Sequence, residues 1–163
     1  MRTSTLAAHV IAVVGLVSLL APPVAAQRPA GAQDPGFPDL VGALKATPGC
    51  LGVETAMTSS GKNVIFAWFE DKKAALGWYY SDTHQSVMKR FLPGTPRREK
   101  PLADVPDDSG PIMVVASITM NEKPTQENPQ PFKQIAIEIY QPLGGGLAIG
   151  GRFAPDKMKV GPK

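Results

Sequence analysis

The alternation of apolar and polar positions predicts five β-strands along the chain. They are 50–58, 63–69, 112–120, 133–140 and 147–153. Most of them place apolar residues at every second position, which is the period of a half-buried strand. The second stretch, NVIFAWF, is apolar at both sets of positions, so we expect it in the centre of the sheet with both faces covered. The turn-forming residues between the first two strands predict a β-hairpin.

Helical spacing appears in two other stretches. Asp39 is a candidate N-cap before an apolar stripe at Leu40, Val41 and Leu44. Asp71 is a candidate N-cap for residues 72–91. In that second stretch one stripe recurs at intervals of 4, 4, 3 and 4, through Leu76, Tyr80, His84, Val87 and Phe91. Ser81 is also a good N-cap, so the second helix either continues through it or breaks there.

Strands and helices in this order predict one α+β domain over residues 38–154. Residues 27–37 are rich in Pro, Gly, Ala and Gln and predict a flexible leader, and residues 155–163 predict a frayed tail. The proline-rich stretch 92–110 is long for a loop in a compact domain and indicates a lid, a wrapping loop or a mobile segment. The glycines at 144–146 open no helix, so they predict a hairpin loop rather than a phosphate-binding loop.

Residues 1–26 have the layout of a secretory signal peptide. Arg2 precedes an apolar run of twelve residues, 10–21, and small residues at 24–26 form a cleavage site. The run is shorter than the roughly 20 residues of a membrane span. We therefore expect a secreted or periplasmic protein that has no membrane contact once the signal is removed.

Charge and metal-ligand content exclude several functions. The chain carries 17 Lys and Arg against 14 Asp and Glu, a net charge of +3, which is too small to indicate a nucleic-acid partner. Cys50 is the single cysteine, so no internal disulfide forms. After residue 26 only one histidine, His84, remains, and the usual zinc and iron–sulfur ligand sets cannot be assembled. We expect no metal and no cofactor.

The stretch WYYSDTHQSVM, residues 78–88, contains the candidate chemistry. His84 falls on the apolar stripe, where desolvation keeps an imidazole neutral and able to accept a proton. Aromatic walls would hold a flat phenol or quinol and exclude water. The candidate catalytic residues are His84, Trp78 and Tyr80, and the candidate substrate-binding residues are Phe66, Trp68 and Met88. The other interpretation is a core histidine whose ring nitrogen bonds a carbonyl or a tyrosine hydroxyl, among aromatics that only fill the core.

Part of the chain, residues 38–91, resembles the antibiotic biosynthesis monooxygenase family of dimeric α+β barrels. The matching positions are Pro48, Gly49, Leu51, Gly52, Trp68, Glu70, Asp71, Ala75, Leu76, Ser81 and His84. The resemblance implies a ferredoxin-like antiparallel sheet with two helices on one face, which pairs with a second copy as a homodimer. The chain lacks the strand that opens such domains, so we expect 112–120 or 133–140 to take its place and rearrange the strand order.

Family members of known reaction oxidise electron-rich aromatic compounds with dioxygen and no metal, or open haem rings. Trp78 matches the helix tryptophan of the haem-degrading relatives, but Met88 stands where they have histidine, and their strand asparagine has no counterpart. Haem degradation is therefore disfavoured. The resemblance implies an exported, cofactor-independent monooxygenase acting on an aromatic or quinol-type small molecule. The alternative is a non-catalytic exported dimeric domain that binds an apolar ligand or is purely structural.

Overall fold

The protein is described by a computed structural model that covers residues 38–96, 99–127 and 129–159. The predicted signal peptide, the predicted leader and residues 160–163 lie outside the described residues. The elements in chain order are α1 (Leu40–Lys45), β1 (Cys50–Met57), β2 (Asn63–Phe69), α2 (Lys72–Tyr79), α3 (Asp82–Phe91), β3 (Ile112–Met120) and β4 (Phe132–Tyr140).

The four strands form one antiparallel sheet in the order β1-β2-β3-β4. Every neighbouring pair is antiparallel, with Ala67 opposite Val53 on one side and opposite Val114 on the other. The predicted α+β class and the predicted hairpin are therefore confirmed. β3 pairs with β2 of the hairpin. Residues 112–120, which form β3, were one of the two stretches expected to take the place of the opening strand that the chain lacks.

Short polar side chains fix where the helices begin. The carboxylate of Asp39 accepts a hydrogen bond of 2.7 Å from the Gly42 backbone N–H, and that of Asp71 accepts one of 2.8 Å from Ala74. Ser81 caps α3 in the same way, accepting from the His84 N–H at 3.2 Å. Because Ser81 is extended, at φ −64° and ψ 150°, the helical stretch 72–91 breaks there into α2 and α3.

The core lies between the helices and one face of the sheet. Phe69 and Ile112 are 0% and 1% exposed, and they pack with the buried residues Leu44, Val53, Ala67, Ala74 and Ala75. Side chains alternate along a strand, so Phe66 and Trp68 of β2 belong to the opposite face. This division of β2 between two faces decides which of the candidate residues can meet. Within the described ranges, no helix is long and apolar enough to cross a membrane.

The loop that precedes β3 wraps around the core. Leu102 and Val105 pack against the helix-side core residues. The Lys72 ammonium donates to the Val105 carbonyl at 2.7 Å and to the Asp107 carboxylate at 2.8 Å. These contacts tie the loop to the start of α2, so residues 99–110 form a wrapping loop, one of the three alternatives that the sequence left open.

The prediction of a final strand at 147–153 is wrong. The segment has no strand pairing among the described residues. Gly145, Gly150 and Gly151 have positive φ angles, which interrupt an extended backbone. Leu147 and Ile149 are 89% and 85% exposed instead of facing a core.

The prediction of a frayed tail is also wrong for residues 155–159. Residues 152–158, which we call the C-terminal strap, lie on the second face of the sheet. The Phe153 ring packs edge-on against Phe66 and Trp68, with 5.0 Å between centroids in both pairs. Met158 is 5% exposed, and the Arg152 guanidinium donates to the carbonyls of Pro155, Asp156 and Met158. Because the sequence around the strap is rich in glycine, these long-range contacts could not be predicted from it.

We expect Phe153→Ala to lower the free energy of unfolding by about 1–2 kcal/mol, because it removes two edge-to-face ring contacts. Urea denaturation measures this change. Leu147→Ala, in the stretch that precedes the strap, is the matched control, and its effect should stay within about 0.5 kcal/mol because the side chain is almost fully exposed. Equal effects of the two substitutions would contradict the packed strap.

Candidate functional site

The candidate site is the junction where α2 ends and α3 begins. α2 ends at Tyr79, Tyr80 has φ −91° and ψ 0°, and Ser81 caps α3, which begins at Asp82. The break brings the last residues of α2 beside the first turn of α3. Trp78, Tyr79 and His84 thereby come together, although the helix does not run continuously between them.

A hydrogen bond fixes the orientation of the His84 ring. The Nδ1 atom lies 2.8 Å from the Tyr79 carbonyl oxygen. A carbonyl can only accept, so Nδ1 carries the proton, and in the neutral ring Nε2 carries a lone pair. The Gln85 side-chain amide donates to the same carbonyl. This carbonyl belongs to the last turn of α2, where the helix itself leaves backbone oxygens unsatisfied.

Two aromatic rings flank the imidazole. Its centroid is 5.5 Å from that of Trp78, at an interplanar angle of 61°, and 5.1 Å from that of Tyr79, at 40°. Trp78 also packs against the helix-side core, which anchors one wall of the site. The Tyr79 ring meets Tyr80 edge-on at 5.0 Å. The four rings form one continuous aromatic cluster, which we call the junction cluster: Trp78, Tyr79, Tyr80 and His84.

Tyr79 is the site residue that the sequence analysis missed. A continuous helix would place Tyr80, four residues before His84, beneath the imidazole. The break at Ser81 shifts the helical phase, so Tyr79 contacts the ring, and Tyr80 is 52% exposed. The signal that pointed to this outcome was Ser81, already recognised as a second N-cap candidate.

Burial determines the charge of His84. Desolvation lowers the pKa of His84 below its ordinary value of 6.5, and the hydrogen bond to the Tyr79 carbonyl opposes this effect in part. The imidazole is therefore neutral at pH 7. A neutral ring with a fixed Nδ1–H and an Nε2 lone pair can accept a hydrogen bond or a proton from a hydroxyl group.

The remaining candidate residues are divided between two places. Met88 is half-buried on α3, one turn beyond His84, and so lies on the same helix face. Phe66 and Trp68 stack on each other at 6.2 Å between centroids, on the sheet face covered by the C-terminal strap. The structure therefore does not bring Phe66 and Trp68 to His84.

Away from the junction cluster, the described residues include a depression at the strap and show no metal-ligand cluster. An open depression of about 360 Å³ lies at the strap, lined by Lys45, Gly52, Val53, Glu54, Arg152, Phe153, Ala154, Pro155 and Asp156. Arg152 already donates three hydrogen bonds to strap carbonyls there. Among residues 38–96, 99–127 and 129–159, no group of His, Cys, Asp and Glu has the arrangement of a metal site.

No protein-family model matches the sequence, and the comparisons with curated proteins and with solved structures found no significant match. The resemblance to the monooxygenase family therefore stays an expectation based on the residues quoted for it. What the junction cluster does has to be argued from its own geometry.

The junction predicts a pH dependence of stability that belongs to His84. Because its folded-state pKa lies below the unfolded value, its contribution is complete above about pH 6.5 and falls as the pH decreases through the folded-state pKa. Urea unfolding of the wild type and of His84→Asn from pH 8 to pH 4 measures it. The Asn amide can still donate to the Tyr79 carbonyl but does not titrate. The wild type should lose more stability than His84→Asn over the acidic range, and parallel curves would contradict the lowered pKa.

Proposed function

We propose that this chain is an exported α+β domain that binds a flat aromatic or apolar small molecule at the junction cluster. One observation carries the proposal: the His84 imidazole is fixed at 2.8 Å by the Tyr79 carbonyl and flanked by two rings. A fixed acceptor next to aromatic surface is the combination that recognises a planar ring bearing a hydroxyl group. Export rests on the signal peptide predicted from residues 1–26.

The ligand class follows from the groups available. The Nε2 lone pair of a neutral His84 accepts a hydrogen bond and offers no positive charge to an anion. Trp78 and Tyr79 supply apolar ring surface, and the half-exposed Tyr80 extends it toward solvent. A phenol or quinol satisfies both requirements, since its hydroxyl donates and its ring packs. A phosphate has no ring to pack against these side chains and finds no positive charge on the neutral His84.

The position of the two tryptophans gives a test of binding. Trp78 belongs to the junction cluster and Trp68 to the opposite sheet face, so single-tryptophan variants report on each face separately. When a panel of phenols and quinols is titrated, the fluorescence of Trp68→Phe, which retains Trp78, should change with ligand concentration. The fluorescence of Trp78→Phe, which retains Trp68, should not.

Two results would contradict binding at the junction cluster. One is a response of Trp68 alone, which would move the site to the strap face. The other is the absence of any response in both variants together with unchanged thermal stability across the panel. That second result would favour the purely structural alternative, in which His84 serves only to join α2 to α3.

A second candidate function is cofactor-independent monooxygenation at the same place, and the fixed tautomer of His84 favours it. With Nδ1–H bound to the Tyr79 carbonyl, Nε2 is free of the proton and can act as general base toward a phenolic hydroxyl. The phenolate would pass an electron to dioxygen and recombine with the reduced oxygen. One oxygen atom would enter the ring to give a quinone, and the other would leave as water.

Oxygen uptake separates catalysis from binding. If His84 is the base, His84→Ala should lower the rate of oxygen consumption with an active phenol by about 10²–10⁴-fold. The Tyr140→Phe variant, which removes the hydroxyl of an exposed tyrosine on β4 outside the junction cluster, should stay near the wild-type rate. Oxygen uptake that survives His84→Ala would exclude this mechanism. If no phenol that binds gives oxygen uptake, only the non-catalytic binding proposal remains.

A further inference from the structure

We infer that residues 141–151, which we call the apolar loop, insert into a lipid surface that carries anionic headgroups. This inference concerns membrane association and stands independently of ligand binding at the junction cluster. The expectation of no membrane contact rests on the length of the apolar run at 10–21, which is too short for a span. A segment that lies in the membrane interface needs no span, so that argument does not apply to the apolar loop.

The apolar loop carries the most exposed large hydrophobic side chains of the described residues. Leu143, Leu147 and Ile149 are 87%, 89% and 85% exposed, whereas the other large hydrophobic residues that are described are at most 60% exposed. Only glycine and alanine stand between these three residues, so no polar side chain interrupts the apolar stretch. A cluster of this kind marks an interaction site, whereas a single exposed leucine does not.

The loop leaves the sheet at one end and has no protein wall beside it. β4 ends at Tyr140, which lies in one row of the sheet with Trp68 and Gly52. The glycines at which an added Cβ would meet no atom within 4 Å, chain neighbours aside, are Gly145, Gly146, Gly150 and Gly151. The three aliphatic side chains are therefore accessible to a surface that approaches this end of the sheet.

A fluid apolar phase suits the loop better than a folded protein partner. The core of a protein–protein interface is packed as densely as a protein interior, which requires a surface of fixed shape. The apolar loop offers no groove or wall to give it such a shape, and its glycines restrict the backbone little. Hydrocarbon chains rearrange around inserted side chains and need no shape complementarity.

The charge next to the loop complements anionic headgroups. No acidic residue occurs between Glu138 and Asp156. Arg152, Lys157 and Lys159 follow the loop and are exposed, and Asp156 is the one acidic residue among them. Basic residues beside an inserted apolar segment strengthen its binding to membranes that contain anionic lipids.

Tyr140 lies at the base of the loop. It is the last residue of β4 and is 47% exposed. Tyrosine is enriched at the level of the lipid headgroups, because its ring is apolar and its hydroxyl is polar. The stretch 140–159 therefore combines an aromatic ring at the base, aliphatic side chains in the loop and basic residues after it, which are the parts of an interfacial anchor.

Flotation with lipid vesicles tests the inference. The chain is used from Gln27 onward, because the apolar run at 10–21 would itself bind lipid and the described fold begins at residue 38. One set of vesicles is an equal mixture of phosphatidylcholine and phosphatidylglycerol, and the other is phosphatidylcholine alone. The wild type should bind the mixed vesicles about tenfold more strongly than the neutral ones, since the basic residues add electrostatic attraction.

Two variants show which side chains insert. The loop variant carries Leu143→Ser, Leu147→Ser and Ile149→Ser, and it should bind the mixed vesicles about tenfold or more weakly, because it loses the aliphatic groups that leave water. Met57→Ser is the matched control, since Met57 is 56% exposed and lies at the opposite end of the sheet. It should bind within about twofold of the wild type. Circular dichroism should show the same fold for all three proteins.

A fluorophore at position 147 separates insertion from adsorption of the whole domain. Leu147→Cys in a Cys50→Ser chain carries an environment-sensitive dye, whose emission should move to shorter wavelength when the mixed vesicles are added. Ser59→Cys in the same background is the control, because Ser59 is exposed in the turn at the opposite end of the sheet. Its dye should show no shift.

Four results would overturn the inference. One is a wild type that binds neither set of vesicles, and another is a folded loop variant that binds as tightly as the wild type. Equal binding to neutral and mixed vesicles would exclude the anionic surface as the partner. A dye that shifts at position 59 and not at position 147 would place the contact at the other end of the sheet.

Discussion

The hydrogen bond between His84 Nδ1 and the Tyr79 carbonyl is the contact on which the candidate site depends. It closes the break between α2 and α3, sets the tautomer of the imidazole and holds the ring between Trp78 and Tyr79. Without the break at Ser81 the carbonyl would be satisfied within a continuous helix and could not accept from the ring. One serine N-cap therefore converts an ordinary amphipathic helix into a site with a fixed acceptor.

The hydrogen bond between His84 and the Tyr79 carbonyl is compatible with a structural role and with a binding or catalytic role. Its contribution to stability does not distinguish between them. A part-buried carbonyl that gains a hydrogen-bond donor contributes about 1 kcal/mol to stability, whatever else the ring does. The Gln85 amide shares this carbonyl, so the junction keeps one donor if the imidazole is lost. A purely structural histidine would thus be partly redundant. A binding or catalytic histidine would not be, because the Gln85 amide has no basic nitrogen that could replace Nε2.

Local signals in the sequence were sufficient for most elements. Asp39, Asp71 and Ser81 are short polar side chains before apolar stripes, and all three cap helices. The errors lie where distant contacts compete with local pattern. The local pattern places Phe153 at the end of a strand, but its ring packs on Trp68, which is far away in the sequence. Tyr79 rather than Tyr80 contacts the His84 ring because the helical phase changes at Ser81. The apolar pattern predicted that Phe66 and Trp68 belong to strand β2. It could not predict which face of β2 meets the helices, because that depends on tertiary packing.

Nitrogen-15 NMR of the His84 ring tests the central claim most directly. The fixed junction predicts a neutral imidazole protonated at Nδ1, with Nε2 unprotonated at pH 7, and a pKa below 6.5. A ring that is protonated at Nε2, that exchanges freely between both tautomers, or that titrates at or above 6.5 would contradict the account.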